Sequence, residues 1–410
     1  MLHQGNHCPV PGSDVWEKWC IKNLSDFTLS LILDLHNYEI MNSRFPGDVK
    51  GMWMTYLHKR GICTNLVNYQ GLMLSNFLAN SLMTWLNYKL IPYIAKLNII
   101  PEIQVATQQG VQTHDVMSYL SCIKCYAERH HQTIYALQCD QMKGFDYLVP
   151  SGFYDALKVY GFLDVICNLA KAAQMQTKAF IHTAYGITGP IVIDSLTKQG
   201  RPLSPIKSTL TTSLGHQYLE DIAKNDQGAL VMATKAYKAE NCHTPDNHLQ
   251  ARITMVEATD DSYLFATSLT TLQKLCLEAE RFQYAYGWLM QWAKTKAYVI
   301  YPIGEPPLTV TMPSITVTEG IHPWTISQHE ISLKSGELKF LCAKVDDPGW
   351  RYQGLTNFID SYKFPKLTMC TPITLLRKII AQCIITRCHA LLSIQPIKNS
   401  DMLLLDKQIA

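Results

Sequence analysis

The sequence predicts an α+β chain of two or three subdomains, and three observations carry that expectation. At 410 residues it is long enough to bury a sizeable core. Long stretches with apolar residues at helical spacing are interrupted by short runs that alternate apolar and polar side chains, as half-buried strands do. The stretch VEATDDSYLFA, Val256 to Ala266, reads as strand, tight turn, strand, and it sets two adjacent carboxylates, Asp260 and Asp261, between apolar flanks.

Composition narrows the class. Apolar residues make up 47% and charged residues only 17%, without low-complexity or single-sign blocks, which argues against general disorder. A formal charge of +3 permits a nucleic-acid partner without arguing for one. The thirteen cysteines are odd in number and form no framework, and no secretory segment opens the chain. An intracellular, reducing setting, nucleus and cytoplasm, is expected. A membrane partner is not, because no apolar run reaches about eighteen residues; CIITRCHALLSI is broken by Arg387.

In chain order, Val15 to about His58 reads as packing helices, with Ser25 and Asp26 capping the second. A short extended piece then leads into a long helix bearing Leu82, Trp85, Leu86, Leu90 and Ile94, ended by Pro101. Another helix spans roughly Thr113 to His131, and TIYALQC forms a strand that delivers Asp140. PSGFYDALKVYGF is helical, begun by Pro150 and Ser151 with Gly161 near its end. A polar stretch, TKQGRPLSP, precedes a helix from Ile206 to about Lys224. Residues 225 to 250 look like an insertion. After the hairpin come a helix from Leu269 to Gly287, a strand KAYVIYP, a Thr- and Pro-rich region from 302 to 335 and the segment LKFLCAKVDD; a mainly helical tail follows Pro348.

If the Asp260–Asp261 hairpin lies beside the Asp140 strand, three carboxylates meet at one sheet edge. Such a group repels itself and loses hydration. Hard divalent cations, which prefer oxygen ligands, relieve it, and two such ions are what phosphoryl-transfer sites use. An isolated Asp-Asp pair is more commonly a solvated turn. Here Met255, Val256, Leu264 and Phe265 make the flanks too apolar for a free surface loop.

These residues also carry a resemblance. CDQMKGFDYL, with Asp140, Lys143, Gly144, Phe145 and Asp146, resembles the first palm motif of the reverse transcriptase domain of non-LTR (LINE-type) retrotransposons of the fungal kind. TKQGRPLSP, with Gln199, Gly200, Pro202, Leu203 and Ser204, resembles the second, and EATDDSYLFA the third. GWLMQWAKTKAYVI, with Gly287, Lys294, Thr295 and Lys296, is similar to the fourth, and LKFLCAKVDD to the fifth, the primer-grip hairpin. Upstream, NLVNYQGLMLSN and IPEIQVATQQGVQTHDVMSYL are similar to the finger segments. Each motif alone is weak; in register from about Lys59 to Val345 they are specific.

The resemblance implies a right-hand polymerase. An N-terminal helical region (1–58) precedes helical fingers (59–131), a palm with an antiparallel sheet backed by helices (132–348, insertion 225–250) and a partial thumb-like helical region (349–410). It implies an RNA template, a DNA primer and a dNTP, joined by two-metal-ion nucleotidyl transfer. Asp140 and Asp260 would hold two Mg²⁺ ions, with Mn²⁺ as an alternative, and Asp261 would support them. Phe145 would stand against the sugar of the incoming nucleotide, with a core aromatic as the rival reading. Gln199 and Gly200 would allow a tight approach to the template base or nucleotide, unless they are merely a helix-leading loop. Lys294 would protonate or neutralise pyrophosphate, or else is a solvated lysine. Lys59 and Arg60 would contact triphosphate or template, though surface cations of this kind are common.

CIKCYAERHH offers Cys122, Cys125, His130 and His131 but lacks a fourth zinc ligand, so helix-borne thiols are the better account; Cys242, His243 and His248 read as incidental. Trp85 and Trp288 suit base stacking or a core, the core being the commoner use. Gln70 and His114 stand where the family has arginine, Cys342 where it has glycine and Gln291 where it has asparagine. Those departures point to a degenerate copy that keeps its carboxylates while losing substrate affinity. Two other readings stand beside the polymerase: an inactive polymerase fold that binds nucleic acid, and a non-polymerase α/β protein whose acidic turn is structural or binds a cation such as Ca²⁺.

Overall fold

A computed structural model describes residues 12–345 apart from 60, 66–67, 102–103, 106–107, 109, 112, 143, 184, 195–196, 198–199, 236–247, 259–260, 320–322, 336–337 and 341–342, together with isolated positions beyond 345. The tail expected after Pro348 therefore lies, but for those isolated positions, outside the described residues. The chain opens with helices α1 (Lys18–Lys22) and α2 (Asp26–Asn42), then strands β1 (Gly51–His58) and β2 (Tyr69–Ser75). Helices α3 (Phe77–Lys96) and α4 (Thr113–His130) lead to β3 (Ile134–Asp140). Three helices follow, α5 (Gly144–Tyr147), α6 (Ser151–Val159) and α7 (Asp164–Gln174), then β4 (Thr177–Thr183), β5 (Gly186–Ile187) and β6 (Ile191–Ile193). Next are α8 (Ser204–Ala223), β7 (Val231–Lys235), β8 (His248–Arg252), β9 (Met255–Ala258), β10 (Asp261–Ala266) and α9 (Leu269–Ala285). The last strands are β11 (Lys296–Ile300), β12 (Thr309–Val317), β13 (Trp324–Ser335), β14 (Lys339–Phe340) and β15 (Ala343–Lys344).

The architecture is α+β, and a six-stranded sheet in the order β12-β13-β11-β3-β10-β9 forms its centre. From β9 through β11 the pairing is antiparallel; β11 and β13 run parallel. Period-two alternation sorts the side chains of β3 and β10 onto two faces. Ala136, Tyr263 and Phe265 pack against Val116, Met117, Leu120 and Ile123 of α4. Leu137 and Leu264 pack on the other face against Leu219 of α8 and Leu272, Leu275 and Cys276 of α9. Each of these large side chains contributes about 1.5–3 kcal/mol by leaving water, so the sheet is pinned from both sides. The residues around 302 to 335 supply β12 and β13, extending the sheet edge. Across the α4 face the β14–β15 hairpin docks through the Tyr263 hydroxyl, which donates to the Lys339 carbonyl at 2.7 Å, and through buried Leu338 and Val345.

A second sheet, β2-β1-β4-β5 with β6 on β4, was not anticipated from the sequence. It corrects the reading of 15–58 as wholly helical. Pro46 and the turn at Gly47–Lys50 end the helical part, and GMWMTYLH pairs antiparallel with β2 and parallel with β4. Burying Met52 against Met73, Ala179 and Ile193 decides the outcome, a contact made by residues distant in sequence. Ser25 does cap α2, its hydroxyl accepting from the Thr28 N–H at 3.3 Å. The long helix α3 stops at Lys96, before Pro101, where Asn98 turns to φ +50°. Residues 225–250, expected as an insertion, carry β7 and the start of β8, which pair antiparallel with each other. Among the described residues no helix is long and apolar enough to cross a membrane.

Candidate active site at the end of the central sheet

Strand β3 ends on Asp140 and β10 begins on Asp261, and the antiparallel register sets these two residues directly opposite each other. Asp261 is thus the first residue of a strand, paired also with Ala258, and not a turn residue as expected. Between Ala258 and Asp261 stand Thr259 and Asp260, outside the described residues. Residues directly opposite across an antiparallel pair place their side chains on one face within about 5.5 Å, and like charges there are destabilising. Lys294 supplies the compensation: its Nζ lies 2.9 Å from Asp140 Oδ2. The lysine is half exposed, so the ion pair alone stabilises by no more than about 1 kcal/mol. Its consequence is electrostatic placement of a cation at the acidic strand end.

Several contacts carry Lys294 there. Gly287 takes φ +87°, a conformation that side chains disfavour, and turns the chain out of α9. Trp288 is buried and donates its indole N–H to the Gly144 carbonyl at 2.7 Å. The following residues run along the end of β3: Met142 N–H donates to Leu289 O and Gln291 N–H to Asp140 O, both at 2.8 Å. Trp292 then donates to Glu280 Oε1 at 3.2 Å. Glu280 is itself buried, and that burial raises its pKa, opposed by hydrogen bonds from Ile315 N–H, Trp292 and Ser314. A turn closed by Lys294 N–H on Gln291 O at 2.9 Å presents the ammonium to the carboxylate.

Among the residues singled out from the sequence, the structure brings Asp140, Asp261 and Lys294 together. Lys59 stands elsewhere, exposed at the end of β1, where its N–H closes the β1–β2 hairpin on Asn68 O at 3.0 Å. Gly200 has φ +90°, and a Cβ there would sit 3.1 Å from Met73 O, so its close backbone neighbour is β2. Phe145 lies on α5, whose first residue Trp288 clasps; its side chain, like Arg60, Gln199 and Asp260, is outside the described residues. Trp288 is a core anchor and offers no face for base stacking, whereas Trp85 is partly exposed. Cys122 and Cys125 are exposed free thiols on α4, and His131 hydrogen-bonds the Tyr301 hydroxyl. Among the described residues no group of three or more His, Cys, Asp or Glu could hold a metal ion. Neighbouring Cys139 offers no nucleophile, because burial pushes its thiol up to about 12.

Sequence reasoning missed a buried polar cluster behind this hairpin. Glu257 Oε2 accepts from Gln104 Nε2 and from His216 Nε2, each at 2.7 Å, and Gln104 also donates to Thr212 Oγ1 at 2.9 Å. The available signal was a carboxylate one residue out of step with Asp261 in an otherwise apolar strand. Also missed were Arg201 and Lys207, buried cations before and within α8.

No protein-family model and no curated protein matches the sequence. Among solved structures the chain is similar to telomerase from Candida albicans in complex with a fragment of telomeric RNA, at 12% identity and a TM-score of 0.47. That match covers 93% of this chain and 58% of the other. It is also similar to apo telomerase from Candida tropicalis, at 10% identity and a TM-score of 0.44, over 65% of this chain and 48% of that one. The form truncated from its C-terminal domain gives 10%, 0.43, 67% and 56%. The chain therefore spans roughly half of each of these proteins.

Proposed function

We propose that the chain is an RNA-directed DNA polymerase of the non-LTR retrotransposon kind, a right-hand fold in which the six-stranded sheet is the palm. The observation that carries the reading is the pairing of Asp140 with Asp261, 121 positions apart in the sequence, at one sheet end with Lys294 on Asp140. The order of the five palm motifs supports it. Oxygen donors from two opposed carboxylates fit a hard cation, Mg²⁺ or Mn²⁺, and their mutual repulsion favours one. Asp140, Asp260 and Asp261 would hold it; when bound, such ions neutralise charge on the reacting phosphate oxygens.

The chain's own groups then have distinct tasks. Lys294, on a flexible stem and already beside Asp140, is placed to pass its ammonium proton to departing pyrophosphate. Phe145, one residue into the helix clasped by Trp288, would face the sugar of the nucleotide. Gln199 and Gly200 would border the template base, while Lys59 and Arg60 would bind phosphates of RNA template, DNA primer or dNTP. Such work would take place inside the cell, in nucleus or cytoplasm.

A second reading, a silent polymerase fold that only binds nucleic acid, is favoured by one feature: the Lys294–Asp140 pair occupies a carboxylate oxygen that a cation would need. Primer extension on poly(rA)/oligo(dT) with Mg²⁺ or Mn²⁺ separates the two, with Asp140→Asn and Asp260→Asn as blanks. Incorporation above both blanks is expected. Equal incorporation in wild type and blanks removes the enzyme and leaves the binder.

A further inference from the structure

Behind the acidic hairpin, Glu257 is about 1% exposed and His216 is fully buried. A buried carboxylate costs several kcal/mol unless its hydrogen bonds are made and its charge is met. Glu257 Oε2 receives two donors, His216 Nε2 from α8 and Gln104 Nε2 from the segment that leads toward α4. The backbone of Glu257 is held as well: its carbonyl accepts from Val105 N–H at 2.9 Å, and Gln104 and Glu257 form a parallel bridge. One helical turn along α8, Glu220 accepts from Thr254 Oγ1 at 2.7 Å, just ahead of β9. Two side chains of α8, four residues apart, therefore hold β9 on either side of Val256.

That arrangement is poor value as a source of stability. His216 Nδ1 is buried with no hydrogen-bond partner among the described residues, a defect that costs about 1–3 kcal/mol whichever way the ring is protonated. Replacing a buried hydrogen-bonded polar pair by apolar side chains of similar volume is commonly neutral or stabilising. A pair kept in spite of that cost is suited to fixing one register among alternatives. Its location says which: Glu257 pairs with Ser262, and the next pair outward along the hairpin is Ala258 with Asp261.

We propose that the Glu257–His216–Gln104 cluster is a positioning lock, which holds the β9–β10 hairpin so that Asp261 stays opposite Asp140 and couples that register to the segment containing Gln104 and Val105. Its contribution to catalysis rests on the polymerase reading; its mechanical role does not. Glu257 and His216 are positioning residues, since neither reaches the face on which Asp140 and Asp261 stand. Slack in the hairpin would separate two carboxylates that backbone pairing sets opposite each other.

The test uses the full chain carrying Glu257→Met, His216→Leu and Gln104→Leu together. The combined change matters because His216→Leu alone would leave Glu257 half satisfied, and changing only Glu257 and His216 would strand the buried Gln104 amide; either would destabilise the protein for a trivial reason. Hydrogen exchange by mass spectrometry is read on peptides covering 255–266 and 134–140, beside thermal unfolding and primer extension. The lock predicts an unchanged or higher Tm together with about tenfold faster exchange at 258–262 and at 139–140, while α9 and β11 exchange as in wild type. Wild-type exchange across the hairpin at equal Tm overturns the proposal, whatever the polymerase activity. A lower Tm with exchange raised uniformly through the central sheet overturns it too, because the pair would then be ordinary core. Loosened hairpin peptides in a chain whose wild type never extends a primer would keep the lock and discard the polymerase.

Discussion

Lys207 shows how much one side chain can be asked to endure. It is buried on α8 with Nζ 3.3 Å from Gln174 Oε1 and 5.7 Å from the centre of the Phe153 ring, and no carboxylate pairs with it among the described residues. Burial, helped by the positive charge of Arg201, pulls its pKa from 10.5 to about 7. The sign follows from proton counting. Between about 7 and 10.5 the unfolded chain binds the proton and the folded chain does not, so stability rises with pH through that window; below it both forms are charged and the penalty is paid in full. Lys207→Met should raise stability by a few kcal/mol at pH 6 and much less at pH 10. Urea unfolding at the two values checks it, and an equal gain at both would contradict the argument. Lys294 poses the complementary case. Removing it as Lys294→Met frees the Asp140 oxygen and removes a proton donor, so under the polymerase reading the Mg²⁺ needed for half-maximal rate should fall while kcat drops about 100-fold. A metal titration of extension rates reads both, and a kcat left intact would strip the lysine of its role.

At the scale of elements, the segment between α9 and β11 is the part most exposed to a single change. Gly287 holds φ +87°, and a Cβ there would collide with the Tyr147 carbonyl oxygen and press on Val149. Gly287→Ala should cost about 2–4 kcal/mol and release the run that Trp288, Gln291 and Trp292 tether, carrying Lys294 off Asp140. A depressed Tm with tryptophan fluorescence shifted to the red is the expected result; an unshifted spectrum would mean the segment holds without the turn. The same segment marks what was legible in the sequence. Helices α3, α4, α6, α8 and α9, the strand ending at Asp140 and the strand after the acidic pair could be read from periodicity and caps, because those signals are local; that Asp261 itself belongs to the strand and not to the turn could not. The β1–β4 pairing could not, since Met52 finds Ala179 only in three dimensions, and hydrophobic spacing in 15–58 fitted helices as well. Lys294 was named from a motif, yet its ion pair rests on Trp288 and Glu280, contacts with no local signature. Glu257 and Lys207 stayed hidden because a charged residue in an apolar run reads as a surface position until its partners are known.

Taken as a whole molecule, the charge balance sets how the proposed nucleic-acid partner would be held. Thirty-six basic residues against thirty-three acidic leave +3, too little for a long-range field to gather a polyanion. Under the polymerase or the silent-binder reading, binding would have to come from a few cations in the right places, and some basic groups are already engaged elsewhere: Arg201 on Ser75 and the Ala173 carbonyl and Lys207 beside Gln174, both buried, and Lys274 on Asp226 at the surface. Each phosphate neutralised by a cation releases condensed counterions, so the logarithm of the affinity falls with the logarithm of salt by about 0.9 per contact on duplex DNA and about 0.7 on single strands. With Lys59, Arg60 and Lys294 as the named candidates, about three contacts are expected, hence a slope near −2 to −3 for a template–primer. Fluorescence anisotropy of a labelled template–primer between about 50 and about 300 mM salt measures it, and Lys59→Ala should flatten the slope by about one contact while leaving the Tm unchanged, because that side chain is exposed and outside the core. A slope of zero would dismiss the polymerase and the silent binder together, since both require phosphates to be gripped, and would leave the opposed aspartates as a cation site on a fold that never touches nucleic acid.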